Sequence, residues 1–255
     1  MKPSKVSILG VQVHRVTMED AVFLIEQFIA NKEKSQVCVP NVYTTVLMQK
    51  DEEFKRIHNH CSLAIPDGLP LVWVSRLIGQ PIPERVAGPD LFEKFSEIAA
   101  QKGYRYFFLG ASSDTLEKMS ANLKARFPGL KIVGAYSPPL MEEFSEEENQ
   151  KIIGMVNEAK PDVLWVGLSA PKQEKWIGRN LNLLDVHVTI GVGAAFDFVA
   201  EKVRRAPRWM QKIGLEWFFR LCQEPRRLWK RYFIGNAIFI WLIIKNLAKN
   251  KLRKK

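Results

Sequence analysis

Two hydrophobic periods alternate along the first 200 residues. Short runs that are apolar nearly throughout, such as 163–168 and 186–192, are separated by longer stretches with helical spacing. Near-continuous apolar runs mark parallel strands covered on both faces. In chain order the pattern predicts a strand in KVSILGVQVH, a helix in TMEDAVFLIEQFIAN capped by Thr17, a strand in QVCVP, a helix in TTVLMQKDEEFKRIHNH with an acidic step in its middle, and a strand in SLAIPDG. It continues with a helix in GPDLFEKFSEIAAQKG ending at Gly103, a strand in YRYFFLGAS, a helix in SDTLEKMSANLKARFPG, a strand in LKIVGAY and a helix in SEEENQKIIGMVNEAK. A strand in PDVLWVGL, a helix opening at PKQEKWIGRNL and a strand in VHVTIGVGAAFD complete it. Such alternation predicts an α/β fold, a Rossmann-like and mostly parallel sheet with helices on both faces, over residues 1–200.

The pattern breaks near residue 201, and so does the charge. The chain of 255 residues carries +11, yet residues 201–255 hold 16 Lys and Arg against Glu201, Glu216 and Glu224. The basic excess therefore belongs to a C-terminal appendage, 201–255, and points to an anionic partner. Within it, 204–231 mixes Arg with Trp and Phe. That mixture suits nucleic acid, a nucleotide-sugar diphosphate or an anionic bilayer. The apolar core that follows, 233–244, is about 12 residues against the roughly 20 that span a bilayer. Followed by Lys245, Lys249, Lys251, Arg253, Lys254 and Lys255, it predicts an interfacial anchor, with a helix packed on the body as the alternative. Self-association that hides this tail is a further expectation. Cys38, Cys61 and Cys222 have neither disulfide nor metal spacing, and the N-terminal apolar run is too short for a signal peptide, so a reducing, non-secretory setting is expected.

Ligands of open α/β sheets bind beyond the carboxyl ends of the strands. Asn41, Asp67, Gly110-Ala111-Ser112-Ser113, Ser169–Gln173 and Gly191–Asp197 fall there. Asp67 is either an Asp-Gly turn residue or a base held at the mouth of the sheet. The turn at 110–113 either frees helix N–H groups for phosphate or is filled by Asp114. GVGAAFD has G-x-G but Phe196 where a dinucleotide fingerprint has its third Gly, so it is a weak signal for a nicotinamide cofactor. Asp197 can accept from sugar hydroxyls or cap a helix. Gln173 suits sugar hydroxyls or a phosphate oxygen. Arg85 either lines the crevice or pairs with Glu84 or Asp90. The four histidines lack ligand spacing, and no D-x-D pair is present to hold a metal on a diphosphate.

Taken together, PNVYTTV (40–46), IPDGLPLVW (65–73), ERVAGPDL (84–91), FFLGAS (107–112), VGLSAPKQEKW (166–176), GVGAAFD (191–197), RAPRW (205–209) and GLEWFFRLCQEPRRLWKR (214–231) resemble the WecG/TagA/CpsF glycosyltransferase family in content and order. The resemblance implies an inverting, metal-independent transfer of N-acetylmannosamine, its uronate or glucose from a UDP-sugar, with no cofactor. The implied acceptor is a polyprenyl-pyrophosphate-linked sugar, met at the cytoplasmic face of the plasma membrane. It implies Asp67 as base, with Asn41 and Gln173 beside it. Gly110, Ala111, Ser112, Gly167, Gln173, Gly193 and Asp197 would face the donor, and Arg85, Arg220, Arg227 and Lys230 the diphosphate and acceptor. Lys230 stands where the family often has Arg, Val39 where it often has Thr, and Ser169 where Gly is common. Two other classes remain open on the residues alone, a nicotinamide-dependent oxidoreductase and a non-enzymatic binder of nucleic acid or membrane.

Overall fold

The computed structural model describes residues 3–252; Arg253, Lys254 and Lys255 of the basic end lie outside the described residues. The chain opens with a hairpin, β1 (Lys5–Ile8) and β2 (Val11–His14), then α1 (Met18–Ala30) and β3 (Ser35–Cys38). Next come α2 (Val42–Leu47), α3 (Glu52–His60), β4 (Leu63–Ala64), α4 (Leu69–Leu77), α5 (Gly88–Lys102) and β5 (Arg105–Gly110). α6 (Ser113–Arg126), β6 (Lys131–Tyr136), α7 (Glu146–Ala159), β7 (Val163–Gly167), α8 (Lys172–Asn180), β8 (Val188–Gly191) and α9 (Ala195–Val199) follow. The C-terminal part holds α10 (Arg208–Lys212), α11 (Glu216–Gln223), α12 (Pro225–Trp229), a π-turn (Lys230–Ile234) and α13 (Gly235–Leu252).

Six strands form one parallel sheet in the order β4-β3-β8-β7-β5-β6. Successive side chains of a strand point to opposite faces, and here both faces are apolar. Tyr106, Phe108, Val163 and Trp165 pack with α1, α5 and α6, while Phe107, Leu109, Leu164 and Val166 pack with α7 and α8. Burial on both sides is why these strands read as continuous apolar runs.

Four local expectations are corrected. KVSILGVQVH is a hairpin outside the main sheet, because Leu9 and Gly10 both take positive φ (54° and 78°) and reverse the chain. The helix expected over 44–60 is two helices, because Asp51 leaves the helical conformation to cap α3 and accepts from the Phe54 N–H at 2.9 Å. The strand before Asp67 is only two residues long. Residues 69–77, unassigned by pattern, form α4.

The appendage packs on the body. Phe239 and Ile243 of α13 join a cluster with Val6 and Ile8 of the hairpin and Leu71 and Val72 of α4. The outer side of α13 leaves Ile240, Trp241 and Ile244 more than half exposed. By length and composition alone, 225–249 is apolar enough to cross a membrane, longer than the apolar core read from sequence. One face of that rod is nevertheless committed to the body.

Two buried imidazoles tie the hairpin down, His14 to the sheet edge at β4 and His58 to α3. His14 Nδ1 accepts from the Ala64 N–H at 2.8 Å, and His58 bonds the Gln12 carbonyl at 2.9 Å. Burial lowers both pKa values to about 4, with Lys5 nearby acting in the same direction. A folded-state pKa below the unfolded value stabilises the fold above about pH 6.5 and is lost as pH falls toward 4. We expect each histidine to remove about 3 kcal/mol between pH 7 and pH 4. Urea midpoints across that range, on wild type and His14→Gln, measure it; an unchanged acid slope in the variant would exclude His14 as a contributor.

Candidate active site

The carboxyl ends of β3, β4, β5, β7 and β8 open into one cleft of about 980 Å³, roofed by α11, α12 and the π-turn. Asn41, Asp67, Arg85, Gly110, Ala111, Ser112, Gly167, Gln173, Gly193, Asp197, Arg220 and Arg227 all line it. Lys230 does not: it is exposed, with its ammonium 5.6 Å from the Trp229 ring, and Arg231 faces the cleft instead.

Asp67 follows β4 in a turn locked to its neighbour, since its N–H donates to the Pro40 carbonyl at 3.0 Å. Gly68 then takes φ 123°, a conformation a side chain would strain, and opens α4. The Asp67 carboxylate has neither an ion pair nor a side-chain hydrogen bond among the described residues. Desolvation raises its pKa to about 6; Arg85 and Arg205 pull it down, while Glu216 and Asp90 push it up. Asn41 caps α2, its Oδ1 accepting from the Thr44 N–H at 3.1 Å, which leaves its amide nitrogen for the cleft.

The arginines beside Asp67 are held by other carboxylates. Arg85 bonds Glu216 at 3.0 Å and Asp90 at 3.3 Å; Arg205 bonds Asp90 at 2.5 Å and Glu216 at 3.2 Å. This closed ring of two cations and two anions joins the body, through Arg85 and Asp90, to the appendage, through Arg205 and Glu216. Of the alternatives for Arg85, the pairing with Asp90 is present, extended by Glu216, while the residue still lines the cleft.

At the opposite end, Gly110 (φ 112°) lies against the backbone of Gly167, and a Cβ there would come within 2.6 Å of it. Ser112 caps α6. Asp114, the competitor for that helix end, is drawn outward by Lys118 and Lys202 at 3.0 and 2.7 Å. Gln173 accepts from the Gly193 N–H at 3.1 Å and donates to Glu174 at 2.9 Å, which orients its amide. Glu174 is buried, its pKa raised to about 7 by desolvation, and its Oε2 has no partner.

The roof supplies cations. Arg220 lies 5.1 Å from the Phe198 ring and shares Glu224 with Arg227, while Arg231 lies 4.1 Å from the Tyr43 ring. The buried Nε atoms of Arg220 and Arg231 have no partner. Buried donors without acceptors cost free energy, so these point to an anion. Asp197, whose pKa is raised by burial, faces Arg227 and Arg220. Among the described residues, no three His, Cys, Asp or Glu side chains gather to hold a metal ion.

Sequence reasoning missed Arg231, Tyr43, Trp217, Glu216, Arg205 and the burial of Glu174. Arg231 had a usable signal: it lies eleven residues on from Arg220 and four on from Arg227, spacings that share a face at a helical period, whereas Lys230 falls off that face.

A family model described as "Glycosyl transferase WecG/TagA/CpsF family" matches residues 6–253. The chain is 32% identical over 209 residues to the N-acetylglucosaminyldiphosphoundecaprenol N-acetyl-beta-D-mannosaminyltransferase of Bacillus subtilis, covering 82% of this chain and 79% of that protein. It is 27% identical over 253 residues to the protein of the same name from Staphylococcus aureus, covering 98% and 96%. A third, from Bacillus spizizenii, is 32% identical over 182 residues, covering 71% and 68%.

The ring makes a prediction about Asp67. Glu216→Gln removes a charge that raises the Asp67 pKa and releases Arg85 toward it, so the Asp67 titration midpoint falls below about 6. Carbon-13 NMR of the side-chain carboxyl reads it directly, and an unmoved midpoint would show that the ring does not tune Asp67.

Proposed function

The chain belongs to the WecG/TagA/CpsF glycosyltransferase family, and from that premise we propose that it catalyses inverting transfer from a UDP-sugar to a diphosphate-linked sugar carried on a polyprenol, in wall-polymer or surface-polysaccharide synthesis. The relatives' names favour N-acetylmannosamine as the donor sugar and a diphosphoundecaprenol-linked N-acetylglucosamine as the acceptor. The observation that carries the reading is Asp67. It is a carboxylate with raised proton affinity in a cleft whose roof holds three arginines.

In this reading the acceptor hydroxyl oxygen attacks the anomeric carbon from the face opposite UDP. As the new C–O bond forms, the bond to the β-phosphate oxygen breaks, UDP leaves with the electron pair, and Asp67 takes the hydroxyl proton. Charge gathers on the departing diphosphate. Arg220, Arg227 and Arg231, in place of Lys230, face it with forked donors, so the chain's own cations carry that stabilisation without a metal. Gly110–Ser112 and Gly193 let the donor approach the backbone, Gln173 and Asn41 offer amides to hydroxyl or phosphate oxygens, and Asp197 accepts from sugar hydroxyls. Residues 201–252 serve as a cover that completes the cleft and rests on the cytoplasmic face of the membrane.

Turnover of UDP-N-acetylmannosamine with the lipid-linked acceptor tests the chemistry. Asp67→Asn is expected to lose about 10²–10⁴-fold in kcat while still binding UDP, and wild-type kcat/KM is expected to rise through about pH 6. Chelator is expected to leave the wild-type rate unchanged. Near-wild-type turnover by Asp67→Asn would remove Asp67 as the base; loss of activity in chelator would remove metal independence. For the membrane, Trp241→Glu on the exposed side of α13 is expected to weaken co-sedimentation with phosphatidylglycerol-rich vesicles about tenfold. Equal sedimentation of variant and wild type would place the contact elsewhere.

A further inference from the structure

The cleft is not polar throughout. At the end where Asp67 stands, its wall is Leu69, Pro70, Gly214 and Trp217. Leu69 opens α4, and the same helix face continues through Trp73 and Leu77, at i, i+4 and i+8. Exposure grows along this row: Leu69 is half-buried at the cleft, Trp73 is 49% exposed and Leu77 68%. An apolar stripe of about 12 Å, eight residues at 1.5 Å each, therefore leaves the cleft beside the base and runs out over the surface.

A second segment lines that path. Gly214 takes φ 80°, and a Cβ there would lie 3.2 Å from Leu69 and 3.4 Å from Trp73. The backbone at 213–214 thus comes close against the stripe, with Ile213 beside it 54% exposed. Trp217, 5.8 Å from the Tyr232 ring, lines the same cleft as Leu69, Gly214, Arg220 and Arg231. A cleft that holds cations with unsatisfied buried donors, an indole and the start of an open apolar track matches an amphiphile with an anionic diphosphate head and a long hydrocarbon tail.

We propose that Leu69, Trp73 and Leu77, faced by Ile213 and Gly214, form a subsite for the first isoprenoid units of the acceptor's lipid chain. The site lifts the head group out of the bilayer and into the cleft while the chain remains in apolar contact. This rests on the glycosyltransferase reading and on the diphosphoundecaprenol-linked acceptors in the relatives' names. It adds a place and named residues for the chain.

The test compares two acceptors in detergent micelles, diphosphoundecaprenol-linked N-acetylglucosamine and the same head group on a short alkyl chain, with UDP calorimetry as a check on folding. In Trp73→Ala and Leu77→Gln, the ratio of kcat/KM for the long chain to that for the short chain is expected to fall about tenfold. An unchanged ratio overturns the subsite, and so does an equal loss on both acceptors. A fall seen only with the acceptor in vesicles and not in micelles also overturns it, by assigning the stripe to the bilayer. A wild-type protein that binds UDP but glycosylates neither acceptor removes the glycosyltransferase reading, and the subsite with it.

Discussion

A carboxylate that must take a proton near neutral pH cannot be paired with the arginines that an anionic substrate requires. Both kinds of group stand in this cleft. Asp67 is close enough to Arg85 and Arg205 to feel their charge, yet is paired with neither, because Asp90 and Glu216 hold both guanidinium groups. Desolvation then becomes the largest influence on Asp67 and leaves its pKa near 6. Were Arg85 unheld, Coulomb attraction to Asp67 would lower its basicity. The two extra carboxylates make a strongly cationic environment compatible with a base.

The same ring couples the two parts of the chain. Arg205 and Glu216 come from the appendage, Arg85 and Asp90 from the body. Displacing the appendage would break these pairs and remove Arg220, Arg227 and Arg231 from the cleft together. α13 adds an apolar attachment through Phe239 and Ile243, which pack against the hairpin and α4. Because α4 begins directly after Asp67-Gly68, the helix that receives the appendage is also the one that follows the Asp67 turn.

Much of this was legible in the sequence, for a physical reason. Strands covered on both faces must be apolar throughout, so their ends show as abrupt changes to Gly, Asn, Asp or Ser, and those ends are where the cleft lies. What was hidden depends on packing. The run 69–77 is short, apolar and bounded by glycines, so period alone does not separate helix from strand. The hairpin alternates as a strand should, but Leu9-Gly10 is not a common turn pair. Glu174 looks like an ordinary acid in the first turn of α8, and nothing local says that Gln36 and the sheet bury it. Arg231 differs in kind: the family pattern points to Lys230, whereas the spacing from Arg220 and Arg227 points to its neighbour.

The charge of the appendage, read from sequence as one quantity, separates in the structure into two populations. Those lining the cleft or forming the ring are Lys202, Arg205, Arg220, Arg227 and Arg231, of which Arg205, Arg220 and Arg231 are the least exposed. The exposed ones include Lys212, Lys230, Lys245 and Lys249, with Arg208 and Arg226. A guanidinium offers a rigid fork and is weakly hydrated, so it can be half-buried against Phe198 or Tyr43 and still present donors to a diphosphate. An ammonium is compact and strongly hydrated, and suits the diffuse attraction of a charged surface. Screening acts on exposed charges first. Salt therefore weakens the exposed set first and acts less on the half-buried guanidinium groups of Arg205, Arg220 and Arg231.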